Sequence, residues 1–249
     1  MISIKGLVKN YESVLAVDGL NLEIPAGELF GFIGPNGAGK TTTIKLLVGL
    51  LKPSSGTICI DGVALEQDPI QVKKIIGYIP DRPFIYNKLT GWEYLEFVAG
   101  LYSLDMETLR IRAEKYFTFF DLQKFADELI EGYSHGMRQK LIIAGALIHE
   151  PKVIIVDEPL VGLDPKGARQ VKQLFQDLCK NGTTIFMSTH SLGVAETMCD
   201  RVGIIQKGKM IALGTVEQLR LQAEHHHGDL EAVFLKLTGD QGDAGSSLQ

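Results

Sequence analysis

Gly34-Pro35-Asn36-Gly37-Ala38-Gly39-Lys40-Thr41 decides the fold. The run satisfies G-x-x-x-x-G-K-[ST], a phosphate-binding P-loop whose glycines let the backbone curl until successive N–H groups face phosphate oxygens. With Thr42, these residues are the candidate nucleotide contacts. Lys40 would reach the β- and γ-phosphates, and the Thr41 hydroxyl would ligate Mg²⁺. Leu29-Phe30-Gly31-Phe32-Ile33 is a short buried strand leading in. Behind the loop, Ile44, Leu47, Val48 and Leu51 recur at i, i+3, i+4 and i+7, one helical face. The helix aims its positive end at the same anion. A glycine-rich surface turn would explain the glycines but not the strand, lysine and helix in this order.

A P-loop needs an acidic partner, because Mg²⁺ must be held from both sides. Val153-Ile154-Ile155-Val156-Asp157-Glu158 supplies it. The four apolar residues suit a parallel strand buried on both faces, and its carboxyl end is where α/β ligands bind. Asp157 would hold Mg²⁺, directly or through water. Glu158, pointing elsewhere, could polarise an attacking water.

Residues Ile2 to Ile33 read as short strands: Leu20, Leu22 and Ile24 alternate with Asn21 and Glu23 before the turn Pro25-Ala26-Gly27-Glu28. Ile58-Cys59-Ile60 before Asp61-Gly62 reads as a strand entering a hairpin, and Ile75 to Ile79 as another strand. Of 19 aromatic residues (Trp 1, Tyr 7, Phe 11), 11 fall between Tyr78 and Phe120. There Thr90-Gly91-Trp92-Glu93 matches a capping box, Tyr94, Phe97, Val98 and Leu101 continue at helical spacing, and a second helix runs from Met106 to Phe120. The stretch, about residues 82–135, is expected to be an inserted helical subdomain. Its aromatics should form mainly its own core, the rest a docking surface for another protein.

Further on, Leu141, Ala144 and Ile148 mark a helical face. Asp164-Pro165 starts a helix with the stripe Val171, Leu174, Phe175 and Leu178, ending at Gly182. Thr184 to Met187 is a strand, and Val202 to Leu213 a hairpin turning at Lys207-Gly208-Lys209. The expected fold is α/β: a P-loop NTPase core with a mainly parallel sheet, an N-terminal antiparallel β-subdomain and the inserted α-helical subdomain. Residues 1–238 form this domain, and the Gly/Ser/Asp-rich 239–249 reads as a disordered tail.

The 249 residues have ordinary apolar content, 45%, and a net charge of −5 without a basic block, which argues against nucleic-acid binding. Cys59, Cys179 and Cys199 are scattered, suggesting neither a disulfide framework nor a zinc site. No run of 18 apolar residues and no signal-peptide core occur, so a cytoplasmic protein is expected, any membrane role coming through a partner.

Four more segments carry a resemblance. Tyr133-Ser134-His135-Gly136-Met137-Arg138-Gln139-Lys140 is similar to the L-S-G-G-Q signature of ATP-binding cassette (ABC) transporters, and Gly162-Leu163-Asp164-Pro165 to their D-loop. Thr189-His190 matches their switch histidine, and Tyr11 stands where they stack an aromatic ring on adenine. With the P-loop and Asp157-Glu158, nearly all of the chain resembles an ABC nucleotide-binding subunit. The resemblance implies an ATP hydrolase using ATP and Mg²⁺, with Glu158 and His190 catalytic and Asp164 at a dimer contact. Ser134 and Gly136 would bind the ATP held by the opposite subunit, identical or paralogous. The partner would be a separate transmembrane permease, holding the subunit on the cytoplasmic face of the membrane. Leu230 to Gly239 resembles the C-terminal helix of ABC-2-type exporter ATPases, which favours export.

The chain departs from the family in three places. Asp81 replaces a glutamine, which could still ligate Mg²⁺ but loses an amide donor. His135 replaces the signature's first glycine and Met137 its glutamine. Asn87-Lys88-Leu89-Thr90 lacks the carboxylate of a guanine motif, and His225-His226-His227 reads as a solvated linker. A soluble, non-transport ABC ATPase acting on a macromolecule and a non-hydrolysing ATP switch remain the alternatives.

Overall fold

Period-two alternation and solid apolar runs sort into two different sheets. The computed structural model describes residues 1–222 and 230–239. Its elements are, in order, β1 (Ile2–Tyr11), β2 (Val14–Ile24), β3 (Leu29–Ile33), α1 (Lys40–Leu47), β4 (Ser55–Ile60), β5 (Val63–Ala64), α2 (Pro69–Lys74) and β6 (Ile76–Ile79). Then come α3 (Gly91–Leu101), α4 (Met106–Phe119), α5 (His135–Leu147), β7 (Val153–Asp157), α6 (Pro165–Lys180), β8 (Thr184–Thr189), α7 (Leu192–Met198), β9 (Arg201–Gln206), β10 (Lys209–Gly214), α8 (Val216–Gln222) and α9 (Leu230–Thr238).

The alternating strands form an antiparallel sheet in the order β2-β1-β4-β5. The solid runs form a six-stranded sheet, β10-β9-β3-β8-β7-β6, parallel except for the β9–β10 hairpin. All five residues of β3 and all five of β7 are buried, as strands covered on both faces must be. Register brings Ile33 beside Thr189 and Asp157 beside Ser188. The P-loop, the acidic pair and the Thr189-His190 segment therefore leave the sheet at one carboxyl edge.

Three local expectations change. β1 and β2 are long, at 10 and 11 residues, and shifts of register along their ladder break the alternation a sequence can show. Residues 69–74 form α2, capped by the Asp68 carboxylate with Pro69 in its first turn, and Ile75 is its C-cap rather than a strand residue. In α3 the capping box is present, Thr90 accepting from Glu93 N–H and Glu93 from Thr90 N–H, but the inward row is Leu95 and Ala99. Phe97 and Leu101 are 45% and 68% exposed. α3 carries two adjacent apolar stripes, and packing against α4 and α5, including an edge-on Trp92–Phe117 contact at 5.2 Å, selects the other one.

Among the described residues no helix is long and apolar enough to cross a membrane. His225–His227 and residues 240–249 lie outside the described residues.

Candidate active site

The P-loop is held open by close backbone approach. A Cβ on Gly34 would stand 2.3 Å from the Ile205 carbonyl oxygen. One on Gly39, whose φ is +111°, would stand 2.4 Å from that of Ala16. Only glycine fits either position. α1 begins directly after Gly39, which has no side chain to cap it, so its first-turn N–H groups are left to a ligand. Lys40 is nearly buried and its Nζ donates to the Gly34 and Pro35 carbonyls at 2.6 and 3.1 Å. Burial lowers its pKa, opposed by the charges of Glu158 and Asp157.

Asp157 and Glu158 diverge as neighbours at a strand end do. The Asp157 carboxylate accepts from Ser188 Oγ on one oxygen, while Thr41 Oγ1 lies 3.4 Å from the other. Burial raises its pKa; the Ser188 hydrogen bond opposes this, and the nearby Asp81 and Glu158 charges add to it. Glu158 takes the left-handed region, φ 52°, a strain of roughly 1–3 kcal/mol that clusters at functional sites. Its N–H still bonds the Ser188 carbonyl at 3.1 Å, so the strained residue is anchored. Its Oε1 accepts from both His190 N–H and Nδ1 at 2.7 Å, and its Oε2 from Thr189 Oγ1 at 3.1 Å. A carboxylate can only accept, so Nδ1 carries the proton and Nε2 is turned outward.

Lys40, Thr41, Thr42, Asn36, Gly37, Gly39, Asp81, Asp157, Glu158, His190 and Tyr11 line one cleft of about 930 Å³. Tyr11 is 42% exposed at the end of β1, with Lys9 Nζ 5.1 Å from its ring centre. The cleft thus joins an aromatic face, a glycine loop at a helix N-terminus, side-chain oxygens that are candidate metal ligands, and a carboxylate–imidazole pair.

Residues 17–161 match the family described as ABC transporter. The chain belongs to this family. Among its relatives, it is 36% identical to the uncharacterized ABC transporter ATP-binding protein all4389 of Nostoc sp. over 87% of this chain and 64% of that protein. It is 35% identical to the linearmycin resistance ATP-binding protein LnrL of Bacillus subtilis over 88% of this chain and 70% of that one. The chain therefore spans about two thirds of the length of these relatives. A solved ATP-binding subunit of an ABC transporter superposes with a TM-score of 0.91 at 32% identity, over 96% of this chain and 99% of the other. An ATP-binding cassette solved as a dimer in a post-hydrolysis state with ADP and Pi gives 0.79 at 28%, over 86% and 98%. The fold is that of an ABC ATPase, and ATP hydrolysis is the family's reaction.

The remaining candidate residues of this ABC ATPase do not all meet in the cleft. Ala38 and Pro35 belong to the loop itself and are tied by an Ala38 N–H to Pro35 carbonyl bond at 3.1 Å. Ser134 caps α5, accepting from Met137 N–H at 3.2 Å, and neither it nor Gly136 lines the cleft. A Cβ on Gly136 would meet the Gly162 carbonyl oxygen at an ordinary 3.4 Å, so this chain alone does not require glycine there. The His135 ring lies over Gly162, where a Cβ would come within 2.0 Å of it. Asp164 caps α6 through Gly167 N–H at 2.9 Å. Sequence reasoning missed Ser188, gave Thr189 no role of its own beside His190, and read Lys207 only as a turn residue. The first two follow from the β7–β8 register, and the third from a hairpin folded against the P-loop.

Thr41 and Asp157 present hard oxygens on one side of an open cleft, which suits Mg²⁺, an ion that takes few protein ligands and completes its shell with phosphates and water. Among the described residues no group of three or more His, Cys, Asp or Glu could hold a metal ion.

Proposed function

We propose that this ABC ATPase powers a separate membrane permease, with two chains closing around two ATP molecules, and that the transport is export. The observation that carries the hydrolytic reading is the Glu158–His190 pair, fixed at 2.7 Å beside Lys40 and Asp157. Tyr11 stacks on adenine. Lys40 and the backbone N–H groups of Asn36, Gly37 and Gly39 to Thr42 hold the β- and γ-phosphates, while Thr41 and Asp157 would hold Mg²⁺, with Asp81, from the loop after β6, supplying a further oxygen. Mg²⁺ would neutralise phosphate charge. Glu158 accepts the proton of the attacking water, and its Nδ1 contact leaves His190 Nε2 to orient that water or, once the ring is charged, to donate to the γ-phosphate. Positioning and electrostatics do most of the work.

Ser134 and Gly136 stand outside the cleft, at the N-terminus of α5, where hydroxyl and N–H groups suit a phosphate brought by a second chain, identical or paralogous. The dimeric ADP-bound cassette described above supports such pairing. Asp164 and its loop would face the dimer contact. On the permease side, Phe84, Tyr86 and Phe97 meet edge-on at 5.3 and 5.4 Å yet are 83%, 48% and 45% exposed. Phe84 also lines a groove of about 360 Å³ together with Asp81 and His135. An apolar surface of this kind marks a docking face. The resistance function in LnrL's name and the α9 helix support export. Docking there would keep the protein on the cytoplasmic face of the membrane.

Glu158→Gln tests the hydrolytic role. Glutamine keeps an oxygen for both His190 N–H groups and offers an amide to Thr189 Oγ1, so geometry survives while basicity is lost. Phosphate release should fall by roughly 10²–10⁴ with ATP affinity retained. Turnover at the wild-type rate would overturn the assignment.

A further inference from the structure

The β9–β10 turn is built against the P-loop. Gly208 N–H donates to the Ala38 carbonyl, and the Gly208 carbonyl accepts from Asp18 N–H, both at 2.9 Å. A Cβ on Gly208, whose φ is +80°, would stand 3.0 Å from the Ala16 carbonyl oxygen. The turn is therefore pinned between β2 and the P-loop. Lys207, immediately before it, is also left-handed at φ 48°, and its exposed side chain lines the nucleotide cleft with Leu15, Ala16, Asn36 and Gly37.

Neighbouring cations are otherwise engaged. Lys209 Nζ pairs with Asp18 at 3.1 Å, Lys9 lies over Tyr11, and Lys40 turns to the carbonyls of its own loop. Among the described residues no carboxylate or other acceptor pairs with Lys207. The cleft lining holds three carboxylates, Asp81, Asp157 and Glu158, against two lysines, Lys40 and Lys207. A nucleoside triphosphate would deepen that negative excess.

We propose that Lys207 is a further nucleotide-binding residue whose ammonium pairs with the α-phosphate end of the bound nucleotide, opposite Lys40 at the β/γ end. The inference rests on the reading of the cleft as the ATP site. With adenine on Tyr11 and the terminal phosphates in the P-loop, the α-phosphate is the anion carried along the Leu15–Ala16 wall, and the pinned turn presents Lys207 there. A lysine supplies a flexible point charge suited to that contact.

Binding of ATP, ADP and adenosine, measured by calorimetry for wild type, Lys207→Asn, Lys207→Arg and Lys40→Ala, tests it. Asparagine tolerates the left-handed backbone, so the turn is kept. In Lys207→Asn, affinity for ATP and for ADP should each fall roughly two- to five-fold, as for an exposed ion pair, with adenosine unchanged and the loss shrinking at 1 M salt. Lys207→Arg should restore it. Equal loss for adenosine would show a structural role and overturn the proposal. Unchanged ATP and ADP binding in Lys207→Asn, with binding lost in Lys40→Ala, overturns the Lys207 role alone. Unchanged binding in both variants overturns the ATP-cleft reading, and this inference with it.

Discussion

His149 should make the joint between the helical insert and the core sensitive to acid. It follows α5 and packs flat on Tyr102, the C-cap of α3, with ring centres 3.6 Å apart and planes 7° from parallel. Its Nε2 lies 3.1 Å from the Ile76 carbonyl oxygen and must donate to it, while Nδ1 is buried without a partner. Burial is the main cause that lowers its pKa from 6.5 to about 4; the nearby Arg112 charge lowers it further, against the Ile76 hydrogen bond. A base depressed in the fold contributes stability that is complete above the unfolded value, near 6.5, and lost as pH falls through the folded value. The shift at about 1.36 kcal/mol per unit would give a little over 3 kcal/mol, and partial solvent exposure reduces this to roughly 2 kcal/mol. Urea unfolding from pH 7.5 to 4.5 should compare wild type with His149→Gln, whose amide can still donate to Ile76 but cannot titrate. At pH 7.5 the variant should be less stable through the lost stack. As pH falls the difference should shrink and then reverse, because other titrating groups are common to both proteins. Parallel stability curves would refute the argument.

Asp81→Asn keeps an oxygen but removes a charge beside Asp157, so the Mg²⁺ midpoint for ATP hydrolysis should rise; an unshifted midpoint would leave coupling to the permease as its role. Asp157→Asn should raise the melting temperature of the nucleotide-free protein while abolishing Mg²⁺-dependent binding. The sign follows because a carboxyl whose folded pKa is raised stabilises below its unfolded value, 3.8, and that stability is lost as pH rises through the folded value. At this size each kcal/mol gained is worth about 2–4 °C, and a lower melting temperature would refute it. Phe84→Glu, at an 83% exposed position, should leave basal ATPase activity intact but abolish co-purification with a co-expressed permease. Retained co-purification would remove the aromatic face from the docking surface.

The P-loop and the Asp157–Glu158 strand end were legible because their chemistry is local: spacing, buried strand and helix start lie within a few residues. The capping box at Thr90 and the Asp164-Pro165 helix start were legible for the same reason. What sequence could not show depends on register or on choice of face. Ser188 reaches Asp157 only through the β7–β8 register. α3 offers two apolar stripes, and contact with α4 and α5 selects Leu95 and Ala99 over Phe97 and Leu101. Lys207 reads as a turn residue until the hairpin is seen folded onto Ala38. Gly136 is the converse: its motif is legible, but this chain gives it no crowded neighbour nearer than 3.4 Å, as expected if its use lies with a second chain.

The central claim is that two chains share each ATP. The direct measurement is the solution mass of Glu158→Gln by light scattering, with and without saturating ATP and Mg²⁺, beside the double variant Glu158→Gln/Ser134→Glu. The 27.3 kDa chain should double to about 55 kDa with ATP and remain single without it. The added Ser134→Glu should restore the monomer by placing a carboxylate against the second chain's phosphates. A monomer in saturating ATP, or a dimer indifferent to Ser134→Glu, would contradict the account.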